Sequence, residues 1–168
     1  MGMNNGKVMH GSCNGVQVLH YVGDIRYTLS LALDAYIKRL LRGRELRGFV
    51  VDLSAADGID TTNLGILARL ARAMQRLGLP KVMVVSNRPA INEILEGMGL
   101  DRVFQMVSSS GVALERMREI PDISSDDTAM SRLLLEAHRA LLDLSEQNKD
   151  QLKDVVEVFQ SAVIRHGD

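Results

Sequence analysis

The sequence predicts an α/β fold: a mixed central sheet of about four to five strands with about four helices, followed by a C-terminal helical extension. Short β-branched apolar runs alternate with segments whose apolar residues recur every three or four positions. An acidic break with a proline near residue 121 precedes a last segment that has helical periodicity alone. We therefore expect an α/β domain over residues 1–120 and an acidic extension over residues 121–168, as one long helix or a helical hairpin.

The N-terminal part of the chain is predicted to form two strands that precede the first helix. Residues 16–22 alternate in polarity, are rich in β-branched side chains and stop at Gly23, which is typical of a strand with one buried face. The preceding residues 11–15 have the composition of a turn. Residues 7–10 are therefore expected to form a short edge strand that pairs back on the first long one.

Two helices and a buried strand are predicted in the middle of the domain. Residues 29–41 carry the apolar stripe of an amphipathic helix, and residues 48–53 form a short continuous apolar run that is typical of an interior strand. Cap-type side chains over residues 60–63 then begin a second helix, which ends where Gly78 is followed by Pro80.

The remaining elements are shorter. Residues 81–85 and 103–107 are predicted strands, Pro89 suits the first turn of a helix between them, and a last helix is expected from about residue 110 to 119. In the extension, the apolar stripe from Met130 to Phe159 predicts helix, with a possible hinge at residues 145–148. These apolar side chains must pack either on the chain's own domain or on a partner.

The composition excludes several classes of protein. The single cysteine, Cys13, cannot form an intramolecular disulfide, and four scattered histidines give no metal-binding pattern. No motif of an enzyme active site or of a cofactor site is present. Aromatic residues make up only 4% of the chain and tryptophan is absent, which argues against a nucleic-acid partner. Without a long apolar run or a secretory leader, we expect a cytoplasmic protein that has no membrane partner.

The formal net charge of −1 hides an asymmetry between the two parts of the chain. Residues 1–120 carry fifteen Lys or Arg against eleven Asp or Glu, whereas residues 121–168 carry five against ten. The acidic extension can therefore lie against a basic face of its own body or of a partner. One candidate face contains Arg69, Arg72 and Arg76, although a solvated helix face is the commoner explanation for such a pattern.

The segment from residue 50 to residue 67 is the most specific part of the sequence. A hydrophobic strand leads through a short loop to Asp60, Thr61 and Thr62 at a helix start. A hydroxyl there lies beside unpaired backbone N–H groups and the positive end of the helix dipole, which favour an added phosphate. Such a phosphate is expected to change what an exposed helix tip binds rather than to unfold it. The simpler alternative is that these residues only cap the helix.

This segment resembles the signature of STAS domains, the family of bacterial anti-anti-sigma factors, in which a strand ending in Asp-Leu-Ser leads to Asp-Ser-Ser-Gly-Leu-Gly at a helix start. The equivalent here is Asp60-Thr61-Thr62-Asn63-Leu64-Gly65, after Asp52-Leu53-Ser54. The similarity continues, in order, in Gly23-Asp24-Ile25, Gly78-Leu79-Pro80-Lys81-Val82 and the run from Leu95 to Phe104. It implies a single STAS-like domain over roughly residues 14–118, with threonine in place of both serines and Asn63 in place of glycine.

The resemblance implies an anti-sigma factor antagonist that acts by partner switching. Its unphosphorylated form is expected to bind an anti-sigma factor and so release the sigma factor. A serine/threonine kinase of the anti-sigma type then phosphorylates Thr62, or alternatively Thr61, which dissociates the complex, and a PP2C-type phosphatase restores it. The expected switch loop and partner interface comprise Asp24, Asp60, Thr61, Thr62, Asn63, Leu64, Gly65 and Ile66.

Two alternatives concern the extension and the switch. The protein is alternatively a STAS scaffold or adaptor that is never phosphorylated and assembles a signalling complex through its C-terminal helices. Those helices are also candidates for a homodimer contact. An approximate four-and-three spacing from Leu134 to Val158 supports such a contact, although Asn148 and Gln151 interrupt it.

Overall fold

The computed structural model describes residues 5–111, 116–123 and 126–166, and these form six strands and five α-helices. The strands are β1 (Lys7–Cys13), β2 (Val16–Ile25), β3 (Gly48–Ile59), β4 (Met83–Val85), β5 (Gln105–Val107) and β6 (Arg118–Glu119). The helices are α1 (Ser30–Leu41), α2 (Thr61–Arg76), α3 (Pro89–Gly97), α4 (Asp127–Leu142) and α5 (Glu146–His166).

The strands form one mixed sheet in the order β5-β4-β3-β2-β1-β6. Strands β2 to β5 are parallel neighbours, and β1 pairs antiparallel with both β2 and β6. Parallel neighbours need crossover connections, which α1, α2 and α3 supply. The predicted α/β class with a mixed sheet is therefore confirmed.

The predicted pairing of the first two strands is also found. β1 continues to Cys13, so the connection to β2 is a two-residue turn, Asn14-Gly15. Both residues have positive φ, 51° and 83°, which is the backbone of a type I′ turn and explains the Asn-Gly pair. β1 is not an edge strand, because β6 pairs on its other side.

The register of β3 decides which side chains line each face of the sheet. Leu19 of β2, Val51 of β3 and Val84 of β4 lie side by side and belong to the main hydrophobic core beneath the helices. The alternate row contains Val18 and Val50 and forms a smaller cluster on the opposite face. β3 extends to Ile59, beyond its predicted end at residue 53, because Gly58 and Ile59 still pair with the end of β2.

The structure differs from expectation after β5. The predicted helix from about residue 110 to 119 is wrong at its end, because Arg118 and Glu119 form β6 through backbone pairing with β1. Residues 112–115 of that prediction lie outside the described residues. Edge pairing by two residues leaves almost no periodicity in a sequence, and this is why it was not predicted.

Of the two forms expected for the extension, one long helix or a helical hairpin, the structure has two helices connected by residues 143–145. Asp126 caps α4, since its Oδ1 accepts hydrogen bonds from the amides of Thr128 and Ala129. α4 packs along α2, and α5 packs against α4, so α2 lies between the sheet and the hairpin. Within the part of the chain that the structure describes, no helix has the length and apolarity to span a membrane.

Candidate functional site

The start of α2 is built around Asp60, which lies between the end of β3 and the first helical residue. Its backbone is extended, and its Oδ1 accepts hydrogen bonds from the backbone amide of Asn63, at 3.0 Å, and from the Asn63 side-chain amide, at 2.9 Å. The Asp60 amide in turn donates to the carbonyl of Ile25. The cap predicted from the sequence is therefore present, and Asp60 fixes both the helix start and its attachment to β2.

Thr61 is held by a residue from the extension. Its hydroxyl lies 2.9 Å from Nε2 of His138 in α4, and His138 Nδ1 lies 2.7 Å from the carbonyl oxygen of Leu134. A carbonyl only accepts, so Nδ1 carries the proton and Nε2 of the neutral ring accepts from the Thr61 hydroxyl. One of the two signature threonines is thus hydrogen-bonded to the hairpin.

His138 is buried at this contact, with only 2% of its surface exposed. The Phe159 ring of α5 lies against its imidazole, with ring centroids 4.8 Å apart. Burial lowers the pKa of His138 below 6.5, while the hydrogen bond to Leu134 and the charge of Asp60 act in the opposite direction. The contact therefore favours the neutral imidazole.

The second signature threonine is covered as well. Thr62 is 4% exposed, and Asn63 and Leu64 beside it are also buried. The expectation of an exposed helix tip is therefore wrong for Thr62. α4 contacts the same helix start at Thr61 and Gly65. Only Thr61 and Asp60, of the residues at the helix start, retain partial exposure.

Gly65 marks the closest approach of α2 and α4. A Cβ atom built on Gly65 would lie nearer to the backbone of Ala137 than any real van der Waals contact allows. The absence of a side chain at Gly65 therefore lets the two helix backbones touch. Ile66, the last residue of the predicted interface, is 1% exposed, so Leu64, Gly65 and Ile66 all lie in the interior.

The basic face of α2 pairs with acidic residues of the hairpin. Arg69 contacts Glu136 at 3.3 Å and also Asp34 of α1 at 3.1 Å, and Arg72 contacts Asp143 at 2.8 Å. The proposal that the acidic extension lies against a basic face of its own body agrees with these pairs. Both contacts to the hairpin are partly exposed, so they orient it more than they stabilise it.

Asp24 lies near the start of α2, at the end of β2. It pairs in register with Gly58, and its Oδ2 accepts a 2.7 Å hydrogen bond from Arg26 Nε. This hydrogen bond raises the pKa of Arg26, and the charge of Asp60 adds to the effect. Asp24 and Asp60 therefore both lie close enough to Arg26 to act on its charge.

His138 belongs to this site although the sequence did not predict it. The signal available for it was weak: a polar ring directly after Ala137, within the apolar stripe of the extension. Among residues 5–111, 116–123 and 126–166, no three His, Cys, Asp or Glu side chains are grouped to hold a metal ion. The chemistry of this site is that of two hydroxyls at a helix start, one acidic cap and one neutral imidazole.

The burial of His138 predicts how docking of the hairpin depends on pH. Above about pH 6.5 the ring is neutral in both the docked and the released hairpin, and the full stability of the contact is present. As the pH falls below that value, the released form takes up a proton more readily than the docked form, so the contact weakens. We expect the free energy of unfolding of the wild type to fall more steeply between about pH 8 and pH 5 than that of His138→Gln.

Urea unfolding at a series of pH values measures this difference, and a nuclear magnetic resonance titration of the His138 ring gives its midpoint directly. Glutamine is the control, because its amide still accepts from the Thr61 hydroxyl but does not titrate. Parallel pH curves for the two proteins, or a His138 midpoint above 6.5, contradict the assigned protonation state.

Comparison with known proteins places this geometry in context. The family model of the STAS domain matches residues 12–113. A crystal structure of an anti-sigma factor antagonist from Mycobacterium paratuberculosis is similar with a TM-score of 0.52 and 25% sequence identity, over 62% of this chain and 87% of that one. A search of curated protein sequences finds no match. α4 and α5 lie beyond the residues that the family model covers.

Proposed function

Because the chain belongs to the STAS domain family, we propose that it is an anti-sigma factor antagonist that acts by partner switching. It is a binding protein of the cytoplasm rather than an enzyme. In its unphosphorylated form it binds an anti-sigma factor through the region of Asp24, Asp60 and the start of α2. Phosphorylation at Thr62, or alternatively at Thr61, by a kinase of the anti-sigma type ends this binding, and a PP2C-type phosphatase restores it.

The observation that carries the proposal is the position of both hydroxyls on the first turn of a well-capped helix. The N-terminal end of the α2 dipole favours a phosphate there. A phosphate brings about −1.5 to −2 charges to a surface that already has Asp24 and Asp60 close by. It therefore changes the charge of the contact region without removing the cap that holds the helix.

One observation favours a second candidate function, an adaptor that is never phosphorylated. Thr62 is 4% exposed, so a kinase does not reach its hydroxyl in this conformation. α5 meanwhile exposes Val155, Val158 and Ile164, at 37%, 62% and 63%. These apolar side chains give the C-terminal helices a surface for a homodimer or another component of a signalling complex.

Phosphate transfer separates the two candidates. The full chain is incubated with ATP and each candidate anti-sigma kinase of the same cell, and its intact mass is measured. We expect one added phosphate on the wild type, none on Thr62→Ala, and an unchanged uptake on Thr28→Ala, whose threonine is exposed and outside the signature. Loss of uptake in Thr61→Ala instead assigns the modification to Thr61.

Binding of the anti-sigma factor is measured in parallel. Partner switching predicts that Thr62→Glu binds it at least about tenfold more weakly than the wild type, because the added charge opposes the contact. No phosphate uptake, together with equal binding by Thr62→Glu and the wild type, excludes the switch and leaves the adaptor.

A further inference from the structure

The amphipathic helix α4 packs on the outer face of α2. We call this face the receptor face and define it by Gly65, Ala68, Arg69 and Arg72. α4 lies on it and buries Leu133, Ala137 and Leu141, which recur every four residues and join the main hydrophobic core. A surface that binds apolar side chains spaced four residues apart fits a helix rather than a strand or an extended peptide.

The receptor face selects for a small residue at its centre. Gly65 on α2 and Ala137 on α4 meet backbone to backbone. A larger side chain on either helix at this crossing pushes the axes apart, which also separates the apolar residues on both sides. The occupant therefore needs alanine or glycine where it crosses Gly65.

The receptor face also selects for charge. Arg69 and Arg72 stand along one side of the crossing and bind Glu136 and Asp143 of the hairpin. The extension as a whole carries ten acidic against five basic residues. Complementary charges of this kind fix the register and the direction of the docked helix.

We propose that the receptor face is a docking site for an acidic amphipathic helix, that α4 is its resident occupant, and that a protein partner must displace α4 to bind there. The hairpin is thus an internal competitor that contacts the signature through the hydrogen bond between Thr61 and His138. The proposal deepens the proposed function and rests on it for the identity of the partner as an anti-sigma factor.

A consequence concerns Thr61. Because Nε2 of His138 in α4 accepts from the Thr61 hydroxyl at 2.9 Å, a phosphate on Thr61 excludes this contact. Displacement of α4 by a partner therefore exposes this hydroxyl to a kinase. The phosphate then opposes the partner through its charge.

A labelled peptide of residues 126–144 tests the receptor face in the full chain. In the wild type the tethered α4 competes with the peptide, so we expect weak binding. Ala137→Leu enlarges the resident helix at its crossing and leaves the receptor face untouched. We expect it to bind the peptide at least about tenfold more tightly than the wild type. Ala90→Leu makes the same change at an exposed helical position and is expected to match the wild type.

A second variant keeps the test valid if Ala137→Leu does not fold. Glu136→Lys with Asp143→Lys reverses two partly exposed charges of the hairpin and leaves its buried side chains intact. We expect this chain to bind the unmodified peptide several-fold more tightly than the wild type does. A peptide with the same two substitutions is expected to bind every chain more weakly. Equal binding of the unmodified peptide by the wild type and by both folded hairpin variants overturns the proposal.

The peptide experiment contains no anti-sigma factor, so its failure differs from failure of the proposed function. In one outcome the peptide binds as expected, but no anti-sigma factor binds more tightly once the hairpin is released. The receptor face is then retained, and its use by that partner is refuted. In the other outcome an anti-sigma factor binds the wild type and Ala137→Leu equally well, and the peptide does not bind. The role of the hairpin as an internal competitor is then refuted, and the proposed antagonist function is retained.

Discussion

Replacing Gly65 by alanine is expected to lower the free energy of unfolding by about 1–3 kcal/mol. Helix propensity alone predicts the opposite, because alanine stabilises a helix interior by about 1 kcal/mol relative to glycine. The added Cβ, however, meets the backbone of Ala137, and backbone cannot rotate away as a flexible side chain does. The sign of the change in unfolding free energy therefore tests whether α4 packs closely against α2.

Gly97→Ala is the matched control for this substitution. Gly97 is also helical, at the end of α3, and a Cβ built on it has open space. We expect Gly97→Ala to be neutral or slightly stabilising in the same urea unfolding experiment. If Gly65→Ala is as stable as Gly97→Ala, the close crossing of α2 and α4 does not exist in solution.

A negative charge at Thr62 is expected to have the second large effect. Leaving an uncompensated charge buried costs about 3–5 kcal/mol, whereas the start of a helix returns about 0.3–1 kcal/mol to an anion. We therefore expect Thr62→Glu to lose at least about 2 kcal/mol of unfolding free energy or to release α4 and recover hydration. Hydrogen exchange over residues 127–142 shows the release directly, as loss of amide protection confined to the hairpin.

Two controls isolate the charge and its position. Thr62→Val keeps the shape of the side chain without a charge and is expected to leave α4 protected. Thr28→Glu adds the same charge at an exposed threonine outside the signature and is also expected to leave it protected. Full protection of α4 in Thr62→Glu, with unchanged stability, contradicts the burial of Thr62.

Together these predictions concern a signature that contacts its own extension at Thr61 and Gly65. STAS membership is shown by residues 12–113, and the helices that cover the signature lie outside that match. The extension is therefore where this chain differs most from the domain that the family model describes. Control of access to the start of α2 is the role we assign to it.

Local features of the fold were predictable because neighbouring residues determine them. The Asn14-Gly15 turn, the Asp60 cap and the end of α2 before Pro80 each depend on a few adjacent side chains. β6 was not predictable, because its two residues are ordered by pairing with β1 rather than by their own pattern.

The composition of the site was largely predictable, and its accessibility was not. Asp60, Thr61 and Thr62 lie where the sequence placed them, at the start of a capped helix. The contact between Thr61 and His138 accompanies a close approach of Gly65 and Ala137, which are more than seventy positions apart. The apolar stripe of the extension shows that it must pack on something, but periodicity does not identify the surface. His138 was missed for the same reason.

The most direct test of the covered signature is the reactivity of a thiol placed at the buried position of Thr62. Cys13 is exposed and is replaced by serine, so that Thr62→Cys provides the single thiol of the chain. A helix start lowers a thiol pKa and speeds its labelling when the thiol is accessible, so slow labelling there reports burial. We expect Thr62→Cys to react about a hundredfold more slowly than Thr28→Cys in the same background, and Ala137→Leu to restore most of the rate. Equal rates at the two positions would contradict the account, because the signature would then be open in solution.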